Sequence, residues 1–138
     1  MISDADLALI RRSFLAAKNV RDFDRSPIFY QNFFRRAPEK KKLFREDLAG
    51  QGMRFMATMQ AIIHALDAPS KLDQTLQPLA KGHAALGVAP KDFETMCEAL
   101  IDTLHDVLGQ DLTPEMETAW RNGFMAIGER MVELGKPK

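Results

Sequence analysis

The chain has 138 residues, 46% of them hydrophobic and 28% charged, a balance that predicts one soluble domain over residues 1–138 and excludes a disordered chain. Nineteen basic side chains offset nineteen acidic ones, so no global field draws the protein onto nucleic acid or anionic lipid. No uninterrupted apolar run exceeds four residues, where a membrane helix needs about 18.

The single cysteine, Cys97, permits no internal disulfide and fits a reducing compartment. The first residues carry neither the basic segment nor the apolar run of a signal peptide, and a cytoplasmic address is expected. The length predicts one core, with no space for a second catalytic domain.

Leu, Ala and Met number 40 against 17 for Val, Ile and Thr. No segment alternates with period two, so the expected class is all-α. Ser3 or Asp4 caps a first helix to about Val20, with Leu7, Ile10, Phe14 and Ala17 on one face. A second runs from about Asp22 to Arg36. Pro38 opens a turn through Lys42, and Leu43 to Gly50 reads as irregular. A third helix covers about Gln51 to Leu66 with Phe55, Met56, Met59, Ile62, Ile63 and Leu66 along it.

Pro69 marks the next break, and a shorter helix from about Lys71 to His83 is closed by Gly87 and Pro90. Lys91 to Leu108 and Thr113 to Leu134 complete the set. The first of these turns Phe93, Met96, Cys97, Leu100, Ile101, Leu104 and Leu108 inward. The second turns Met116, Trp120, Phe124, Ile127, Met131 and Leu134 inward. The tail from Lys136 is expected to fray.

Nucleotide and hydrolase motifs are missing. Gly50-Gln51-Gly52 lacks the third glycine and the preceding strand of a dinucleotide fingerprint, and Gly123 and Gly128 are followed by Glu129-Arg130 instead of the Lys-Ser/Thr of a phosphate loop. Six basic residues between Arg35 and Arg45 read either as a site for an acidic or nucleic-acid partner or as a solvated turn between helices. Cys97, on an apolar face, reads as a small buried hydrophobe.

The histidines, at 64, 83 and 105, are spaced too widely to chelate a metal as a pair on one helical face. His64 and His105 read as polar-edge residues. His83 stands among small neighbours at the end of a short helix, where composition alone fits a capping or surface role. Tyr30, in a Phe-rich helix, fits a core aromatic equally well.

The order Phe29-Tyr30-Gln31-Asn32-Phe33-Phe34, then Lys42-Leu43-Phe44, Gln51 and, 32 residues on, His83 resembles bacterial globins over nearly the whole chain. It is most similar to single-domain haemoglobins and to the haemoglobin domain of flavohaemoglobins. That resemblance implies the globin fold, a three-over-three helical sandwich around haem b (iron protoporphyrin IX), with His83 as the metal ligand through Nε2. Iron needs a neutral imidazole, and the other ring nitrogen is then expected to donate to a carbonyl one turn back, near Leu79.

The same resemblance makes Tyr30 and Gln51 the distal pair. Both can donate a hydrogen bond to bound O2, which carries partial negative charge. It places Phe44 against the haem face. Phe55, one turn after Gln51, is expected to wall the pocket together with Leu86, Val88, Phe93 and Ile127, which would be core in any helical fold. Arg54 would either reach a haem propionate or stand solvated.

Two positions depart from the family pattern. Phe93 stands where flavohaemoglobin domains carry a tyrosine, and the position of their glutamate near the end of the last helix falls near Gly135. Glu129 and Glu133 read as out of register. The axial histidine is therefore expected to be an ordinary neutral one, without strong electron donation to iron.

The function implied by resemblance is reversible binding of O2, NO or CO. The alternatives are nitric oxide dioxygenation with electrons from a separate reductase, and a haem-free sensor or interaction module. A monomer or homodimer is expected.

Overall fold

The computed structural model describes residues 2–20, 23, 28–43, 48–85 and 88–136, apart from the side chains at 43, 48–50, 52 and 85. These residues are helical throughout their length apart from turns and caps, as the all-α expectation requires.

Helix α1 (Asp4–Lys18) starts at its expected cap, where Ser3 Oγ accepts from the Asp6 N–H at 3.1 Å. That bond satisfies one of the donors a helix start leaves orphaned. Helix α2 (Ile28–Arg36) ends in Arg35 and Arg36, whose charges complement the negative end of the helix dipole. The start expected for it at Asp22 lies outside the described residues. A short 3-10 helix then covers Pro38–Leu43.

Helix α3 (Leu48–Ala65) begins earlier than expected, because residues 48–50 are helical and not irregular. Gly50 and Gly52 each weaken a helix by about 1 kcal/mol, a cost that burying Met56, Met59, Ile62 and Ile63 outweighs at ~1.5–3 kcal/mol for each side chain. Helix α4 (Pro69–Ala85) is longer than expected at both ends. Pro69 starts it, at the position where a missing N–H costs nothing. Pro90 likewise opens α5 (Pro90–Leu108) and does not close α4. Thr113 Oγ1 accepts from Met116 N–H at 3.2 Å to cap α6 (Pro114–Leu134).

Helix α5 lies at the centre, packed on α2 and α6, while α1 and α4 pack on α6 and α3 lies against α4 and α2. Two apolar clusters result. The larger joins Ile10, Phe14, Phe29, Phe33, Leu100, Leu104 and Trp120. The smaller joins Ile62, Leu72, Leu76, Ala80, Phe93 and Met131. Buried polar groups are paired. Trp120 Nε1–H donates to Ser13 Oγ at 2.7 Å, and Ser13 in turn donates to the Leu9 carbonyl at 2.8 Å. Asn32 Nδ2 donates to Thr103 Oγ1 and to Asp106 Oδ2, each at 3.0 Å.

Cys97 is buried at 2% exposure, and desolvation pushes its thiol up to about 12, as expected of an inert core residue. Within the basic run, Arg36 forks onto Asp102 and Lys40 pairs with Asp92. Lys41 and Lys42 are exposed, and Arg45 lies outside the described residues. No helix among the described residues is long and apolar enough to cross a membrane.

Candidate functional site

Between the two clusters the helices leave a cavity of about 340 Å³, within the ~300–1,000 Å³ typical of small-molecule sites. Its walls draw on both cores: Tyr30, Phe33, Met59 and Ile63 from one, Ile62, Phe93 and Met131 from the other.

His83, in the last turn of α4, borders this space and is half-buried. Its Nδ1 lies 2.7 Å from the Leu79 carbonyl oxygen. A carbonyl can only accept, so Nδ1 donates this bond, and in the neutral ring the lone pair then lies on Nε2. This is the arrangement an axial imidazole needs, and the bond also fixes the plane of the ring. The Phe93 ring lies 5.9 Å from that of His83, tilted by 53°. Gly128 makes room for Phe93, since a Cβ there would stand 3.0 Å from the Phe93 Cγ. On its outer side His83 also borders a shallower hollow of about 310 Å³, shared with Ala84, Val132 and Lys136.

Helix α2 brings Tyr30 to the same cavity. The residue is 8% exposed and sits edge-on to Phe29 and Phe55, at 5.1 and 6.3 Å. Burial pushes the phenol above its ordinary pKa, and nearby Arg54 offsets only part of that. The hydroxyl therefore keeps its proton at neutral pH and can donate.

Helix α3 contributes Gln51, half-buried, and Arg54, exposed at the rim, with Phe55 one turn further on. Phe55 stacks on Phe29 at 4.0 Å and 8°, and Phe29 in turn on Phe33 at 6.1 Å and 11°. An aromatic stack thus fixes the wall beside Gln51.

Val88, Phe93 and Ile127 also line the cavity. Phe44 and Leu86, expected there too, lie outside the described residues. Sequence reasoning missed Lys40 and Asp92, which pair at 3.2 Å and line the cavity together. Asp92 had a readable signal: it stands three residues after Ala89, whose N–H donates to its carboxylate at 2.8 Å, as a capping acid does. Ile2 and Thr58 were missed as well, and Met59, Ile62, Ile63, Leu66, Met96, Phe124 and Met131, which were read simply as helix faces, line the cavity too.

His64 is exposed, and His105 pairs with Glu117 at 3.1 Å. Neither borders the cavity. Among the described residues no group of three or more His, Cys, Asp or Glu could hold a metal. Around His83 the departures are structural. A Cβ at Gly135 would meet the Ala80 carbonyl at 2.9 Å, and Glu133 turns outward to Lys136 at 3.1 Å. Neither carboxylates on α6 nor a hydroxyl at Phe93 reach the cavity beside the imidazole.

The chain is similar to several curated proteins. It is 29% identical over 99 residues to a flavohemoprotein of Rhizobium meliloti (strain 1021), covering 70% of this chain and 25% of that one. It is 26% identical over 132 residues to a flavohemoprotein of Rhodopirellula baltica, covering 91% and 32%. It is 23% identical over 107 residues to flavohemoprotein B of Dictyostelium discoideum, covering 77% and 25%. The chain thus spans between a quarter and a third of the length of these relatives. The sequence pattern of the globin family matches residues 28–131. With that match over most of its length and an all-helical architecture around an apolar cavity, the chain belongs to the globin family.

Proposed function

We propose that this globin binds haem b through His83 and uses it to take up O2 and related diatomic ligands reversibly. The carrying observation is the hydrogen bond from His83 Nδ1 to the Leu79 carbonyl at 2.7 Å, which leaves Nε2 as the ring nitrogen not engaged by that carbonyl, on a side chain that borders an apolar cavity. Bound haem supplies an iron centre that takes up a diatomic molecule, and the chain supplies the axial nitrogen, a dry enclosure and hydrogen-bond donors.

Tyr30 and Gln51 both border that enclosure, and we assign them the donation of hydrogen bonds to a polarised ligand. The raised phenol pKa of Tyr30 supports the assignment, because a protonated hydroxyl is the form that donates. Phe55, Val88, Phe93 and Ile127 exclude water, and the exposed Arg54 is placed to meet a cofactor carboxylate. Cys97 is buried in α5 and does not line the cavity, which supports a cofactor held without a thioether bond.

Names of relatives that include a flavin favour a second reading, conversion of NO and O2 to nitrate, with one electron per turnover from a separate reductase. Stopped-flow mixing of the oxygenated protein with NO, with and without an added flavin reductase, separates a carrier from a dioxygenase. Sustained turnover would assign the enzyme, and a single stoichiometric reaction the carrier.

Haem titration of the purified protein tests the whole reading. A saturating Soret band at one haem per chain, shifting on reduction and again on exposure to air, is expected. A broad band like that of free haem would overturn it.

A further inference from the structure

Lys40 and Asp92 lie on different elements, the short helix after α2 and the first turn of α5. Lys40 Nζ stands 3.2 Å from Asp92 Oδ1, with side chains 28% and 21% exposed. Both line the cavity, so the pair stands at its rim with one side toward solvent. Asp92 is not free to swing, because its other oxygen accepts from the Ala89 N–H at 2.8 Å. The forks of Arg36 on Asp102, Arg121 on Glu98 and Arg130 on Asp73 are more exposed, and none of those residues borders the cavity.

We propose that the Lys40–Asp92 pair is a charged latch across the cavity rim that slows release of the cofactor. The inference rests on the haem reading above. For a planar group to leave between the short helix and the start of α5 the two must separate, and that separation breaks the ion pair. Because the pair is only partly exposed, its rupture costs more than that of a fully exposed pair while salt still reaches it. The latch therefore acts on the off-rate of the cofactor and not on its axial bond.

The test measures haem transfer from the loaded protein to an excess of apomyoglobin, followed by absorbance. Lys40→Met and Asp92→Asn are each expected to speed transfer roughly 3- to 10-fold, and the double variant no further than either single one. Asn at 92 keeps an acceptor for the Ala89 N–H, so the helix start is preserved. Lys40→Arg is expected to restore nearly the native rate. Raising NaCl from about 0.05 to 0.5 M is expected to speed transfer from the native protein and not from Lys40→Met.

Single variants that load haem normally and release it within about twofold of the native rate would overturn the latch and leave the haem reading standing. Rates in the double variant equal to the product of the two single effects would also overturn it. A native protein showing no Soret band at all would overturn both.

Discussion

Gly128→Ala and Gly82→Ala place the same methyl group in two helices and should act in opposite directions. Each replacement gains about 1 kcal/mol of helix propensity. At Gly82, in α4 beside His83, an added Cβ meets nothing within 4 Å, so the gain stands and the haem-free protein is stabilised by ~0.5–1 kcal/mol. At Gly128 the Cβ falls 3.0, 3.2 and 3.4 Å from three atoms of Phe93, inside the ~3.5–4.0 Å of an ordinary carbon contact. Phe93 borders the cavity, but its Cβ, 3.2 Å from the added methyl, is fixed by the backbone of α5 and cannot swing away with the ring.

Overpacking of that kind costs ~1–3 kcal/mol, which matches or exceeds the propensity gain, and a net loss of up to about 2 kcal/mol follows. For a chain of this length 1 kcal/mol corresponds to roughly 3–4 °C in Tm. Thermal melts of the haem-free proteins, followed by circular dichroism, should show Gly82→Ala rising by about 2–4 °C and Gly128→Ala falling by up to about 8 °C. A Gly128→Ala protein that melts above the native one would refute the account of Phe93 as a ring wedged between α6 and the candidate axial histidine.

Tyr30→Phe should speed O2 release ~10- to 100-fold, the worth of one donated bond of ~1.5–3 kcal/mol, and change CO release little. Flash photolysis or stopped-flow displacement measures both, and an unchanged O2 rate would assign the donor role to Gln51 or to water. Glu98 is held below the ordinary carboxylate range chiefly by its hydrogen bonds to Arg121, partly against its burial. Asp92 is also lowered: burial alone would raise it, but the Ala89 N–H and Lys40 outweigh that. Folded-state values below the unfolded ones mean that these groups stabilise fully above the ordinary carboxylate pKa of about 4. Their contribution is lost as pH falls from there through the folded values. Urea melts of Glu98→Gln should accordingly show a shallower loss of stability over that acid window than the native protein, and parallel curves would refute the pairing. Cys97, buried and with its thiol pushed up to about 12, should react with a disulfide reagent at pH 8 only as the chain unfolds. Rapid labelling of the native protein would contradict its place in the core.

Helix positions and inward faces were largely legible because period 3.6 is a property of the chain alone. Ser3 and Thr113 capped where their side chains allowed it. Boundaries slipped where proline was read as a terminator, although Pro69 and Pro90 occupy first turns and therefore start helices. The site was legible only in part. His83, Tyr30 and Gln51 came from resemblance, since a lone imidazole or phenol on an amphipathic helix carries no mark of what it faces. Lys40 and Asp92 stayed hidden because an ion pair spanning 52 positions leaves no local pattern. Met59, Ile63 and Met131 were rightly read as apolar, but whether an apolar side chain fills a core or borders a void depends on how the helices cross.

Replacement of the imidazole at position 83 reaches the centre of the account. His83→Gly should keep the native far-ultraviolet circular dichroism and lose the native ferrous spectrum, and millimolar free imidazole should restore that spectrum by filling the gap the side chain leaves. A His83→Gly protein whose ferrous spectrum matches the native one without imidazole would mean that another group holds the iron, and the assignment would fall.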